Sequence, residues 1–241
     1  MVGGVEPGTV FGDYRIEAVE REDAAVAVLL AHDLREGGSV VLHIAGEPAG
    51  ELSAIRFLER AQRIGSVEHP NLLAIHDART CEGRVVAVTQ APPGRRLDAL
   101  LAENRFGSTP AVRIARQVAS AVDALEEAGA SPPPLTPERI WVDDAGDAHL
   151  DGLDGRIGLT PPAASSSASL ASLIGQLTAK VPPAVGTVVI RAREGAYLSA
   201  GQFADELREV EISAAQRRRR NALSVVVIAT VILVAILLSA L

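Results

Sequence analysis

Residues Ala222 to Leu241 carry no charge and consist almost wholly of Val, Ile, Leu and Ala, and Arg217, Arg218, Arg219 and Arg220 stand directly before them. At about 1.5 Å per residue, a helix over this stretch reaches about 30 Å, the thickness of a bilayer's hydrocarbon core. The sequence therefore predicts a transmembrane helix over 222–241 behind a basic juxtamembrane segment at 213–221. Arginines flanking a span belong on the cytoplasmic side, so the expected location is a cell membrane crossed once, with everything before the span cytoplasmic. The competing reading is a buried core helix, but such helices rarely run this long without a polar face. The four arginines would also hold anionic lipid headgroups.

What precedes the span is long enough for one large domain or two lobes sharing a cleft. The formal net charge of −7 excludes a generally basic, nucleic-acid-coating protein, so no nucleic-acid partner is expected. Cys81 is the single cysteine, which rules out an intrachain disulfide or a Cys-rich metal site. The first eleven residues have no basic start and no apolar core, unlike a signal peptide. Aromatic residues make up 3% of the chain, so the core has to be built from Ala, Val, Leu and Ile.

Strand signals come first: Asp13 to Val19, Ala24 to Ala31, and, after the Gly37-Gly38 turn, Ser39 to Ala45. Ser53 to Gly65 has helical spacing, with Ile55, Leu58 and Ile64 on one side. Two more strands read at Asn71 to Asp77 and Arg84 to Gln90. Helices dominate from there. Arg95 to Glu103 is short, and Pro110 to Glu127 is long, with a stripe of Val112, Ala115, Val118, Ala119, Val122 and Leu125 and a cap at Gly129. Pro132, Pro133 and Pro134 form a stiff loop. Ile140 to Val142 and Ala148 to Leu150 suggest a small hairpin. Pro161 to Ser169 reads as a flexible crossing, with helices near Ala168 to Lys180, Pro183 to Arg193 and Ser199 to Val210. Strands with one helix, then helices, imply an α+β fold of two lobes.

From Gly8 to about Val210 the chain resembles the bacterial eukaryotic-like Ser/Thr protein kinases, of the membrane-anchored kind found in actinobacteria. Gly12-Asp13-Tyr14-Arg15-Ile16 resembles that family's opening strand, and Ala31-His32-Asp33-Leu34 its Ala-Arg-Asp-Leu. Glu68-His69-Pro70-Asn71-Leu72 resembles the segment after helix C, Ala111 to Ala119 helix E, and Val181-Pro182-Pro183 through Leu207 the closing helices. The resemblance implies a protein-kinase-like domain over 9–212, with an N-lobe at about 9–90 and a C-lobe at about 95–212 after a tail at 1–8.

Phosphoryl transfer in that family needs a Gly-rich loop, a Lys–Glu pair, a catalytic Asp and Asn, and a metal-binding Asp. By the resemblance the loop's glycines fall on Arg21, Asp23 and Ala24, and Glu20, Glu22 and Asp23 would repel a phosphate. The lysine becomes His43, which on its residues alone is an ordinary strand histidine. Helix C's glutamate becomes Arg60, with Glu59 turned about 100° away. His-Arg-Asp-x-Lys-Pro-x-Asn becomes Pro132 to Arg139, so the base is Pro134, the lysine Thr136 and the asparagine Arg139. Proline accepts no proton, and a guanidinium does not bind Mg²⁺. The triple proline also reads as a partner motif. Asp151 matches the metal-binding aspartate, with Gly152 in place of phenylalanine. Asp151 and Asp154 otherwise read as turn residues. No Ala-Pro-Glu follows, which implies a shortened activation segment, and the arginine that pairs with its glutamate becomes Ala196. A buried ion pair lost from both sides together is consistent, since one unpaired buried charge is costly.

These positions imply a pseudokinase acting as a scaffold or regulator, with no nucleotide or metal cofactor. A residual nucleotide sensor or weak kinase is the alternative. The resemblance further implies protein partners such as an active Ser/Thr kinase, or a forkhead-associated domain reading a phosphorylated Thr160. The plain alternative for Thr160 is an unmodified loop threonine before Pro161.

Overall fold

The computed structural model describes residues 6–22, 26–45, 51–104, 106–153, 166–216 and 220. An antiparallel sheet comes first, built from β1 (Val10–Phe11), β2 (Tyr14–Glu22), β3 (Val26–Asp33), β4 (Ser39–Ala45), β5 (Ile75–Cys81) and β6 (Arg84–Gln90) in the order β1-β2-β3-β4-β6-β5. β4 is central and is buried from Val40 to Ala45, as a strand covered on both faces must be. Pleating separates its side chains. Val40, Leu42 and Ile44 join Ile16, Leu29 and Val88 in one apolar cluster, while Val41 and His43 face the other way.

α1 (Glu51–Gly65) packs across β5 and β6. Phe57, Ala61 and Ile64 point from it into the larger core below, which is built on α3 (Ser108–Glu127), α4 (Ser166–Leu177) and α5 (Pro183–Arg193). α2 (Leu97–Glu103) precedes α3, and residues 200–216 form a last helix, α6. Alanines at 111, 115, 119 and 121 let the neighbours approach α3 closely, consistent with a core poor in aromatics.

β7 (Arg95–Arg96), β8 (Ile140–Val142) and β9 (Ala148–Leu150) make a small second sheet. Two connections join the lobes. The chain from Ala91 to Gly94 crosses between them; Gly94 has φ +72°, and a Cβ there would lie 2.1 Å from the Val142 carbonyl oxygen, so only glycine fits without rearrangement. Separately, Asn71 to Leu73 runs beside β9. The Leu150 N–H donates to the Asn71 carbonyl (2.8 Å), and the Leu73 N–H donates to the Leu150 carbonyl (2.9 Å).

That second connection corrects the strand expected at Asn71 to Asp77. The Asn71 carbonyl and the Leu73 N–H pair with Leu150 of the lower lobe, and the sheet strand starts at Ile75. Apolar Leu72 and Leu73 are buried at the lobe junction, and burial there looks like a strand in sequence. Three further boundaries move. α4 begins at Ser166, inside the expected Pro161 to Ser169 crossing, where the Ser166 hydroxyl donates to Glu126 (2.5 Å). Arg95 and Arg96 are strand before α2 starts. α6 runs on to residue 216, with Glu211 accepting from Arg116 at 2.7 Å.

Among the described residues no helix is long and apolar enough to cross a membrane. The expected span at 222–241 lies outside the described residues, as do Arg217, Arg218, Arg219, Asp23, Ala24, Asp154 and Thr160.

Candidate functional site

The sheet face that carries Val28, Leu30, Val41, His43 and Thr89 looks onto a cleft of about 650 Å³ between the lobes. Pro134, Thr136, Glu138, Arg139, Trp141 and Asp151 rise from the other side. The cleft volume lies within the usual range for small-molecule sites.

His43 is 3% exposed, paired across the sheet with Val28 on one side and Ala87 on the other. Its Nε2 lies 3.4 Å from the Thr89 hydroxyl oxygen, and that hydroxyl donates to the Val41 carbonyl at 3.3 Å. Burial pushes the His43 pKa below its ordinary value of 6.5; nearby Asp151 works against the shift, while Arg21 and Arg139 add to it. The imidazole is therefore neutral at physiological pH.

Below it, Pro137 opens a short 3₁₀ turn at Pro137–Arg139 that delivers Arg139 to the cleft. The Arg139 Nη1 lies 3.7 Å from the Asp151 carboxylate and donates to the Leu153 carbonyl at 3.3 Å. Backbone bonds lock the pair: the Asp151 N–H donates to the Arg139 carbonyl (2.8 Å), and Asp151 Oδ1 accepts from the Leu153 N–H (3.0 Å). The guanidinium is 13% exposed and the carboxylate 23%, so water screens them weakly. A positive charge thus already sits on the one carboxylate that the resemblance assigns to metal binding. Among the described residues no group of three or more His, Cys, Asp or Glu is placed to hold a metal ion. A hard cation such as Mg²⁺ needs several oxygen donors, so these residues do not fit it.

The structure brings His43, Pro134, Thr136, Arg139 and Asp151 to one cleft. It does not bring Arg60 there. Arg60, on α1, donates instead to the Ser131 carbonyl (3.3 Å), and Arg63 on the same helix donates to the Gly129 carbonyl (3.3 Å). Gly152 has no room for a large side chain, because a Cβ would meet Leu72 at 3.1 Å and Ile64 at 3.2 Å. Leu153, 1% exposed, supplies the apolar packing one residue later. Among the cleft residues that the sequence did not single out are Thr89, Trp141, Glu138 and Arg96. Arg96 is held by Asp98 through two bonds of 2.6 and 2.8 Å. The place of Trp141 could have been inferred from its position in the small hairpin next to the proline-rich loop.

No family model matches the chain. It is 30% identical over 146 residues to the Ser/Thr protein kinase PknE of Mycobacterium tuberculosis, an overlap of 59% of this chain and 26% of that protein. PknJ of the same organism is 28% identical over 131 residues, covering 54% of this chain and 22% of PknJ. The PknI kinase domain of M. tuberculosis has a TM-score of 0.70, at 18% identity, with 86% of this chain and 98% of that domain covered. This chain carries a protein-kinase-like domain. The matched stretch covers about a quarter of the length of these mycobacterial relatives. Its six-stranded sheet with α1 is the strand-rich N-lobe, and the helices from α2 onward are the C-lobe, as expected from the sequence.

Proposed function

We propose that this protein is a membrane-anchored pseudokinase, a cytoplasmic protein-binding scaffold or regulator in Ser/Thr kinase signalling that does not transfer phosphate. The observation that carries the reading is the Arg139–Asp151 pair in the cleft. Phosphoryl transfer rests on positioning and on charge stabilisation by metal, lysine and base. Here the metal-site carboxylate faces a guanidinium, the lysine position is a neutral buried histidine, and the base position is Pro134. The kinase-like shape remains as a surface for proteins, and Thr160, directly before Pro161 in the sequence, offers an acceptor for a neighbouring kinase. Phosphate there would add nearly two negative charges for the arginines of a forkhead-associated domain to bind.

Nucleotide is not part of this function. A ligand stabilises a fold by about 2.7 kcal/mol at a hundredfold excess over its dissociation constant. Thermal melts with and without millimolar ATP–Mg²⁺ are expected to superimpose. A clear upward shift would favour the nucleotide-sensor alternative. The anchor is tested separately: protease added outside intact cells should leave the domain whole, and digestion from outside would reverse the proposed topology.

A further inference from the structure

We propose that the C-lobe rests on the bilayer by the end at which α3 begins, meeting anionic lipid headgroups there, and that the N-lobe and the cleft point away from the membrane.

The orientation follows from how three helices run. α3 and α6 are antiparallel. Asp123 and Glu126, late in α3, accept from the N–H groups of Gly201 and Ala200 at the start of α6, and Arg116, nearer the start of α3, bonds Glu211 farther along α6 at 2.7 Å. α4 runs with α6: Ser166 at its start donates to Glu126, and the Leu177 carbonyl at its end accepts from the Phe106 N–H just before α3 (3.0 Å). The end of α6, the end of α4 and the first turn of α3 therefore share one end of the lobe. α6 reaches residue 216, and the apolar stretch begins at Ala222. Even fully extended, the chain between them reaches only about 20 Å, so this end of the lobe is tethered close to the lipid. The other end of α3, a helix of 20 residues, lies about 30 Å away. α1 meets that far end, where Arg63 donates to the Gly129 carbonyl, so the N-lobe stands outermost.

Charge is divided the same way. Residues 104–113 hold two arginines and no carboxylate, and residues 176–184 hold Lys180 and no carboxylate. Asn104, Thr109, Pro110 and Lys180 are exposed. Arg217 to Arg220 follow α6. Carboxylates bordering this end are paired, Asp147 with Arg113 and Glu211 with Arg116. The β8–β9 turn, with Asp143 and Asp144, lies beside Arg113, set back from the first residues of α3. At the far end of α3, residues 118–131 hold Asp123, Glu126 and Glu127 and no basic residue. The negative surface of anionic lipid attracts the first end and repels the second.

The inference rests on the membrane anchor proposed above and not on the loss of phosphotransfer. The test uses the wild-type full chain, reconstituted in vesicles of phosphatidylcholine and phosphatidylglycerol with a trace of a phospholipid bearing a carbene precursor on its headgroup. Flotation isolates vesicle-bound protein, and illumination followed by peptide mass spectrometry locates the labelled residues. Labelling is expected over 104–113 and 178–184, several-fold above that over 194–199 and over the β3–β4 turn at 34–38. Equal labelling of the four segments, or preference for the last two, overturns the orientation and leaves the anchor standing. Failure to float contradicts the anchor, and the orientation falls with it. Lys180→Glu should lower the labelling of 178–184; unchanged labelling would overturn lipid charge as what this end meets.

Discussion

Arg139 and His43 show what single residues do to this cleft. Each stands where the kinase resemblance expects a group of different chemistry, and each is held by its surroundings rather than left loose. Arg139 is fixed by Asp151 and the Leu153 carbonyl, and His43 by burial and Thr89. The substitutions themselves were readable in the sequence; that Arg139 and Asp151 pair with each other was not, because they meet through a 3₁₀ turn and a hairpin. His43 is a strand residue, as its own sequence context suggested, and its neighbours give it a buried seat on the cleft. A pH dependence follows. Burial holds the pKa of His43, and that of His69, below the ordinary 6.5. As pH falls through 6.5 the unfolded chain takes up the proton first, so stability is lost toward acid. His43→Phe should flatten that loss, by at most about 1.4 kcal/mol per pH unit, and His69 should maintain the remainder. Urea midpoints at stepped pH measure it; equal slopes for variant and wild type would contradict the assignment.

Elements with strong periodicity were legible. The α3 stripe and the hairpin of β8 and β9 stand where the sequence put them, because each is set by local pattern. Failures fell where tertiary contacts decide. Asn71 and Leu73 pair with Leu150 of β9, and α4 starts early where Glu126 of α3 receives Ser166. The same part of α3 secures the start of α6: Asp123 Oδ1 accepts from the Gly201 N–H at 2.7 Å, and Glu126 Oε2 accepts from the Ala200 N–H at 3.3 Å. These carboxylates satisfy N–H groups that have no partner within the helix and oppose the positive end of its dipole. Asp123→Ala is therefore expected to cost about 1–2 kcal/mol in chemical denaturation. A change within experimental error would mean that water replaces the cap. Beside Ala196, a polar cluster joins α5 to α6. Arg191 bonds Glu206 at 2.6 and 2.8 Å and stacks over the Tyr197 ring at 5.1 Å, and the Tyr197 hydroxyl donates to Glu206. Burial and then the Glu206 carboxylate raise the Tyr197 pKa, so this phenol stays protonated.

For the whole molecule, the two-lobed α+β architecture was visible in the order of strand-like and helix-like segments, and the position of the cleft followed from the resemblance. What the sequence could not give was the balance of charge in the cleft, which depends on how side chains from distant segments converge. The central claim is that a kinase-like fold has been kept while its phosphotransfer chemistry has been removed. The most direct test is incubation of the purified full chain with radiolabelled ATP and Mg²⁺ or Mn²⁺, alone and with a generic basic-protein substrate. The account predicts no incorporation above a heat-inactivated control. Reproducible incorporation that disappears in Asp151→Ala would contradict it.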